Sequence, residues 1–412
     1  MLKSNFFKNA RTLTVGSLIA QGIGILVTPL LARFFTPSDF GTFSIFTAVS
    51  NITAAIVTLS YPVRLVLPQP ESEAKKLALL SIVITILVGF FCLILSLFLP
   101  KSFLILASLF SLGIWLQIAI INGMISALIT VFTYWFNRQE QYFKISKLKI
   151  GQTLIVAIFG VAFGFLSINS GLILSQLMGL SIILIFYFYW SRLKFSFNDL
   201  QGIFGIFKTH NSAFKYLLPT TILDVFTMQL PFFLITMWFS NDAVGQYRMA
   251  FTFLSIPSSL VGFAISQVFY QRFCQIWPDV NAARSLLIRT WFILTLIGVI
   301  PFFLVIAYGE PLFEIILGDQ WSMSGKIASI LAFMSFFSLL HSPTSTTLHS
   351  MGYEKLLPFF GLATLFHRPL ALYIGYLYND LFFGIQLFVI FEILHIVIFQ
   401  LVVLRIFNKI QH

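Results

Sequence analysis

FFTPSDFGTFSIF at 34–46 and WFSNDAVGQYRMAF at 238–251 lie 204 residues apart, and each joins one long apolar stretch to the next. In this register Thr36 meets Ser240, Gly41 meets Gly245 and Phe43 meets Tyr247. Arg11, where the first stretch begins, meets Lys215, where the seventh begins. A second echo pairs YWFNRQEQYFKI at 134–145 with TLHSMGYEKLLPF at 347–359, each following the fourth stretch of its half. Apolar sequences match by chance often, but two echoes at compatible offsets point to a repeat. The chain reads as two six-helix repeats. Six is even, so both halves start on the same side of a membrane and are related by an axis along its normal.

Composition supports the reading as helices. Of 412 residues, 58% are hydrophobic and 9% charged, and the mean hydropathy is +0.94. These values lie outside the range of a soluble globule. A bilayer core takes about 20 apolar residues per helix. Stretches of that kind run over 12–34, 42–62, 77–99, 110–136, 150–167, 171–190, 217–239, 248–270, 287–308, 327–349, 356–378 and 381–404. In lipid each must satisfy its own backbone polar groups, which selects helices. The expected fold is an all-α membrane protein of about 12 transmembrane helices, in two parallel six-helix repeats around a central cavity. An N-terminal lobe covers 1–190, a cytoplasmic linker 191–216 and a C-terminal lobe 217–412. The first stretch exceeds a signal-peptide core and is expected to stay as a helix. The connections are too short to hold a soluble catalytic module. Cys92, mid-span, and Cys274, in a loop, do not predict a structural disulfide.

Charge orients the chain. With twelve spans the connections alternate sides, and 20 of the 25 basic residues fall on one of them: Lys3, Lys8, Arg11, Arg64, Lys75, Lys76, Arg138, Lys144, Lys147, Lys149, Arg192, Lys194, Lys208, Lys215, Arg272, Arg284, Arg289, Lys355, Arg405 and Lys409. Only Arg33, Lys101, Arg248 and Lys326 fall on the other, and Arg368 lies inside a stretch. Acidic residues show no such bias. The basic side is therefore expected to be cytoplasmic, with both termini on it. This topology also accounts for the net charge of +11, so a nucleic-acid partner is not expected.

Several segments carry a family resemblance. They are LLARFFTPSDFG at 30–41, YPVRLVLP at 61–68, YWFNRQEQYFKISKLKIGQ at 134–152, FKYLLPTTILDVFTMQLPFFLITMWFSNDAVGQYRMAFTFLSIPSSLVGFAISQVFYQRF at 214–273, and LGDQWSMSGKIASILAF at 317–333. In order and spacing the chain resembles the O-antigen flippase type of polysaccharide flippases, within the multidrug/oligosaccharidyl-lipid/polysaccharide exporter superfamily. One departure stands out. The family commonly carries Arg-Tyr-Glu where this chain has Ser60, Tyr61 and Pro62, and Arg64 replaces a small residue. The resemblance implies a non-enzymatic transporter that moves an undecaprenyl-diphosphate-linked oligosaccharide from the cytoplasmic to the periplasmic leaflet of the bacterial inner membrane. It implies no cofactor beyond an H+ or Na+ gradient. The O-antigen polymerase and chain-length regulator are the implied protein partners.

Ionisable groups inside a membrane are costly and mark candidate sites. Arg11, Lys215, Arg64 and Arg272 stand at the cytoplasmic ends of spans one, seven, two and eight, which by the resemblance line the cavity. Arg33 and Arg248 break the charge rule beside the first turn of each half. All six are candidates for a diphosphate, for which the guanidinium fork is suited; the competing reading is an ordinary snorkelling anchor. Asp224, Arg368 and Glu392 are candidates either for ion coupling or for a structural pair between Arg368 and Glu392. Glu392 precedes His395 by three residues on one helical face, and His367 adjoins Arg368. His341 and His349 read as packing residues, and no metal-ligand pattern occurs. Gln21, Asn51, Asn122, Gln229 and Gln267 are amides that either bind sugar hydroxyls or hold helices together. Prolines 29, 231, 257, 301, 343 and 369 fit bendable helices.

Two alternatives remain open at this level. A drug or metabolite antiporter of the same superfamily would be expected to line its cavity with carboxylates. A membrane O-antigen polymerase or ligase would be expected to carry a large periplasmic loop, whereas the connections here are short.

Overall fold

The computed structural model describes residues 2–67, 70–100, 112–193, 203–209 and 213–411, the first ten of them as backbone only. Lys101 and the start of the fourth predicted span lie outside these residues. The described elements are α1 (Leu2–Phe34), α2 (Pro37–Val57), α3 (Glu71–Leu97), α4 (Trp115–Arg138), α5 (Tyr142–Phe165), α6 (Gly171–Ser191), the short α7 (Ile203–Thr209), α8 (Leu218–Trp238), α9 (Asn241–Pro257), α10 (Phe263–Ile276), α11 (Val280–Leu317), α12 (Ser322–Ser350), α13 (Leu357–Leu377) and α14 (Leu381–Gln411). No strand occurs among the described residues.

Among the described residues, eleven helices are each long and apolar enough to cross a bilayer. The predicted span 248–270 is the exception, because it is two helices. Proline removes an N–H and its ring clashes with the carbonyl four residues back. At Pro257 helix α9 accordingly stops, a π-helical turn runs over Ser258–Gly262, and α10 carries the span onward. Helix α11 is longer than its predicted span. It bends at Tyr308 (φ −130°, ψ 22°) just before Pro311, by the same chemistry.

The chain forms two compact units, Met1–Phe233 and Leu234–His412, and the boundary falls inside α8. In the N-terminal unit α1 packs on α5, α5 on α6, and both α2 and α3 on α4. Trp135, Phe136, Phe132 and Tyr187 are buried at its centre. Helices approach where side chains vanish: a Cβ on Gly123 would lie 2.6 Å from the Ser50 carbonyl oxygen. In the C-terminal unit α11 packs on α12, α13 on α14, and α9 and α14 on α12. Phe273, Leu287, Val403 and Phe407 form a fully buried cluster there.

The repeated turns that begin α2 and α9 are capped by the residues the repeat aligns. Thr36 and Asp39 form a reciprocal capping box: the Thr36 amide donates to Asp39 Oδ2 at 2.9 Å, and the Asp39 amide donates to Thr36 Oγ1 at 3.3 Å. Ser240 accepts from the Ala243 amide at 3.0 Å, a simple N-cap.

Candidate functional site

After Val57 the end of α2 cannot continue as a helix. Leu59 and Ser60 take positive φ (44° and 59°), and Pro62 starts a 3-10 segment over Tyr61–Val66. This segment carries Arg64. It is fastened from three directions. From α4, Arg138 Nη1 donates to the Leu65 carbonyl at 3.1 Å and to the Leu67 carbonyl at 2.9 Å. Tyr61 is fully buried, stacks on Phe207 of α7 at 5.7 Å and donates its hydroxyl to the Phe207 carbonyl at 3.4 Å. The segment also packs against the π-helical turn Ala213–Leu217, which carries the exposed Lys215, and Ser60 Oγ lies 3.5 Å from Thr221 Oγ1. Two of the six proposed diphosphate cations, Arg64 and Lys215, thus stand on adjoining segments of one unit. Arg138 adds a third guanidinium to this corner. From the sequence Arg138 is placed only on the cytoplasmic side, because nothing in the pattern shows that the α4 terminus meets the 60–67 segment.

The other candidates are distributed differently. Arg33 is exposed at the C-terminus of α1, and Asp39, its nearest acidic residue in sequence, is engaged by Thr36. Arg248 is half-buried on α9 between fully buried neighbours. In the 204 register Arg33 meets Met237 and Arg248 meets Ser44, so these two arginines are not repeats of each other. Arg272 is exposed on α10, with Nη1 3.4 Å from Gln275 Oε1. The Arg11 side chain lies outside the described residues. Asp224, a candidate for ion coupling, is exposed on α8. Gln21 and Gln229 are half-buried, Asn51 and Gln267 exposed.

A second polar group lies inside the C-terminal unit. Arg368 of α13 donates from Nε to Glu392 Oε1 of α14 at 2.5 Å, and from Nη2 to Oε2 at 3.3 Å. The side chains are 18% and 8% exposed, so this bidentate pair is largely removed from solvent. Two apolar pockets lie elsewhere. One of about 570 Å³ between α1 and α5 is lined by Ile23, Val27, Leu154 and Phe165 among others; one of about 140 Å³ adjoins Pro257 and Pro301. Neither includes a candidate residue.

The fold is similar to that of a solved lipid II flippase and of a solved multidrug resistance transporter. A lipid II flippase, MurJ, in an inward closed conformation superposes with a TM-score of 0.77 at 15% identity, covering 97% of this chain and 89% of that one. An inward-facing multidrug resistance MATE transporter of the MOP superfamily gives 0.63 at 13% identity, over 96% and 95%. The chain is a multi-pass membrane protein of this fold. Over residues 30–326 it matches the polysaccharide biosynthesis protein family, and it belongs to that family. A succinoglycan biosynthesis transport protein, ExoT, from Rhizobium meliloti (strain 1021) is 26% identical over 340 residues, 79% of this chain. This chain spans 66% of that relative's length.

Proposed function

We propose that the protein is a flippase that carries an undecaprenyl-diphosphate-linked oligosaccharide, an O-antigen-type repeat unit, from the cytoplasmic to the periplasmic leaflet of a bacterial inner membrane. It works by alternating access and draws on an ion gradient. Each unpaired sugar hydroxyl costs several kcal/mol to bring into hydrocarbon, and an ionised diphosphate far more, whereas a prenyl tail can remain in lipid. The protein must therefore supply polar, positively charged surface along the headgroup's path. The observation that carries the reading is the basic corner of Arg64, Lys215 and Arg138, built where the chain leaves the α-helix after α2 and turns through the 3-10 segment Tyr61–Val66. Arg11 and Arg272 extend the positive set on the proposed cytoplasmic side, and Arg248 and Arg33 receive the diphosphate toward the periplasm. Gln21, Asn51, Gln229 and Gln267 contact sugar. The polymerase and chain-length regulator of the same glycan take the product.

The test is surface glycan in a strain that depends on this protein. Arg64→Ala combined with Lys215→Ala should lower display about tenfold or more, as expected when charge-assisted hydrogen bonds worth roughly 1.5–3 kcal/mol each are lost. The variant should still insert at the wild-type level, and lipid-linked precursor should build up in the cytoplasmic leaflet. Full display from the inserted variant overturns the reading. Reporter fusions after Lys149 and Lys208 should read cytoplasmic and one after Asp319 periplasmic.

A further inference from the structure

Around the Arg368–Glu392 pair the C-terminal unit gathers three imidazoles, each from a different helix. His367 of α13 places Nδ1 3.8 Å from Glu392 Oε1, too long for a hydrogen bond. His395 of α14 lies one turn beyond Glu392, with its ring 5.3 Å from that of His367. His341 of α12 is within electrostatic reach of both Glu392 and His395, and Tyr247 of α9 within reach of Arg368 and Glu392. Phe360 and Phe399 wall the group: Phe360 meets the His395 ring edge-on at 5.5 Å, and Phe399 meets His341 at 4.6 Å. Helix α11, packed on α12 and α14, carries its ionisable groups (Arg284, Arg289, Tyr308, Glu310 and Glu314) toward its two ends, and α10, packed on α12, carries Tyr270, Arg272 and Cys274, all exposed. The charged and titratable groups facing the centre are therefore Tyr247, His341, His367, Arg368, Glu392 and His395.

A structural ion pair needs only the guanidinium and the carboxylate. Here both nitrogens of His367 and Nδ1 of His341 are also buried without a hydrogen-bond partner. Buried polar atoms of that kind call for a functional account. We propose that His367 and His395, held against Glu392, form a proton-exchange site within the C-terminal unit, with Arg368 as its fixed counter-cation and His341 as the flanking relay. The proposal deepens the transport reading by naming the coupling ion and its seat. A proton from water adds to an imidazole lone pair, no other covalent bond changes, and the same proton leaves to water on the other side. The imidazolium N–H then turns to Glu392 Oε1 and shares the carboxylate with Arg368, so occupancy sets how α13 and α14 grip each other. Tyr247 conveys that state to α9, where Arg248 is the next residue. Sodium does not fit this group. It favours several oxygen ligands, whereas the single carboxylate is already held by a guanidinium and the other donors are nitrogen.

The site can be read without any substrate, on the purified full chain in detergent micelles, labelled with [13C]histidine and titrated by NMR from pH 5 to 9. His367→Gln and His395→Gln assign the two resonances. Both are expected to titrate within this range and to influence each other, and Glu392→Gln should lower their proton affinity about tenfold. If Glu392→Gln does not fold, Glu392→Asp, which keeps the charge but withdraws it by one methylene, should lower it by less. Two histidines that stay neutral down to pH 5 overturn the proposal, as does an affinity unchanged in either variant. A titration that moves when NaCl replaces choline chloride at constant ionic strength assigns the site to sodium and overturns it equally. In cells, His367→Gln with His395→Gln should abolish the dependence of glycan display on external pH. Loss of the flippase reading would remove only this last effect and leave the titration intact.

Discussion

Helices α5 and α6 close the N-terminal six-helix repeat, and α13 and α14 close the C-terminal one, yet the two pairs are held by different forces. Between α5 and α6 the contact is steric: a Cβ on Gly179 would come 2.3 Å from Val156 Cγ2. Beyond Lys149, α5 carries no charged residue, and α6 carries none at all. Between α13 and α14 there is also a glycine contact, Gly375 against Gly384, but the middle is occupied by Arg368, Glu392 and their histidines. Close packing of small residues suffices to join membrane helices. A buried ion pair is not needed for that purpose, since its desolvation penalty can offset its attraction. Its presence in only one of two equivalent positions points to a role beyond holding helices together.

Removing one partner should have the largest effect. Arg368→Ala leaves Glu392 buried and uncompensated, which typically costs about 3–5 kcal/mol. A clear loss of thermal stability in detergent is expected. Arg368→Met with Glu392→Leu should recover most of it while display of glycan stays defective. Recovery of both would make the pair purely structural and erase the contrast between the two helix pairs.

Overpacking the glycine contacts comes next. Gly179→Leu in α6 and Gly375→Leu in α13 should each cost about 1–3 kcal/mol, the usual range for forcing volume into a packed contact. Gly375 should be the more sensitive, because the obstructing atoms are backbone of Gly384 rather than a side chain. Equal tolerance at both positions would show that the charge pair alone sets the α13–α14 distance.

The smallest effect is expected at the repeated caps. Thr36→Ala should cost about 1 kcal/mol and Ser240→Ala somewhat less, since only Thr36 has a reciprocal partner in Asp39. Chemical denaturation of the two variants, followed by helix content, would rank them. A larger loss at Ser240 would mean that the α9 turn relies on its cap more than its geometry indicates.

The repeat, the helical class and eleven of the spans were legible because each rests on local composition: long apolar runs, caps aligned at Thr36 and Ser240, and lysines and arginines between spans. The eighth span was legible only in part. Pro257 was visible as a bend, but a π-helical break between α9 and α10 depends on how neighbouring helices take up the displaced backbone. The basic corner was half legible. Arg64 and Lys215 carried their own signal, whereas Arg138 acquires its role from two carbonyls more than seventy residues away. Asp224 carried its signal as an acidic residue within an apolar run, but its exposure on α8 depends on packing and had no local signal.

The amino-acid sequence by itself determined that this chain lies in a membrane as a twofold repeat of helices, because hydropathy, span length and charge bias act residue by residue and need no partner. The sequence already offered Arg368 and Glu392 as a pair, and the tertiary structure shows it formed between separate helices. Only the tertiary structure brought the imidazoles to it, His341 from a third helix. Their convergence depends on the rotation of α12, α13 and α14 about their own axes, which is set by packing against one another rather than by any local pattern.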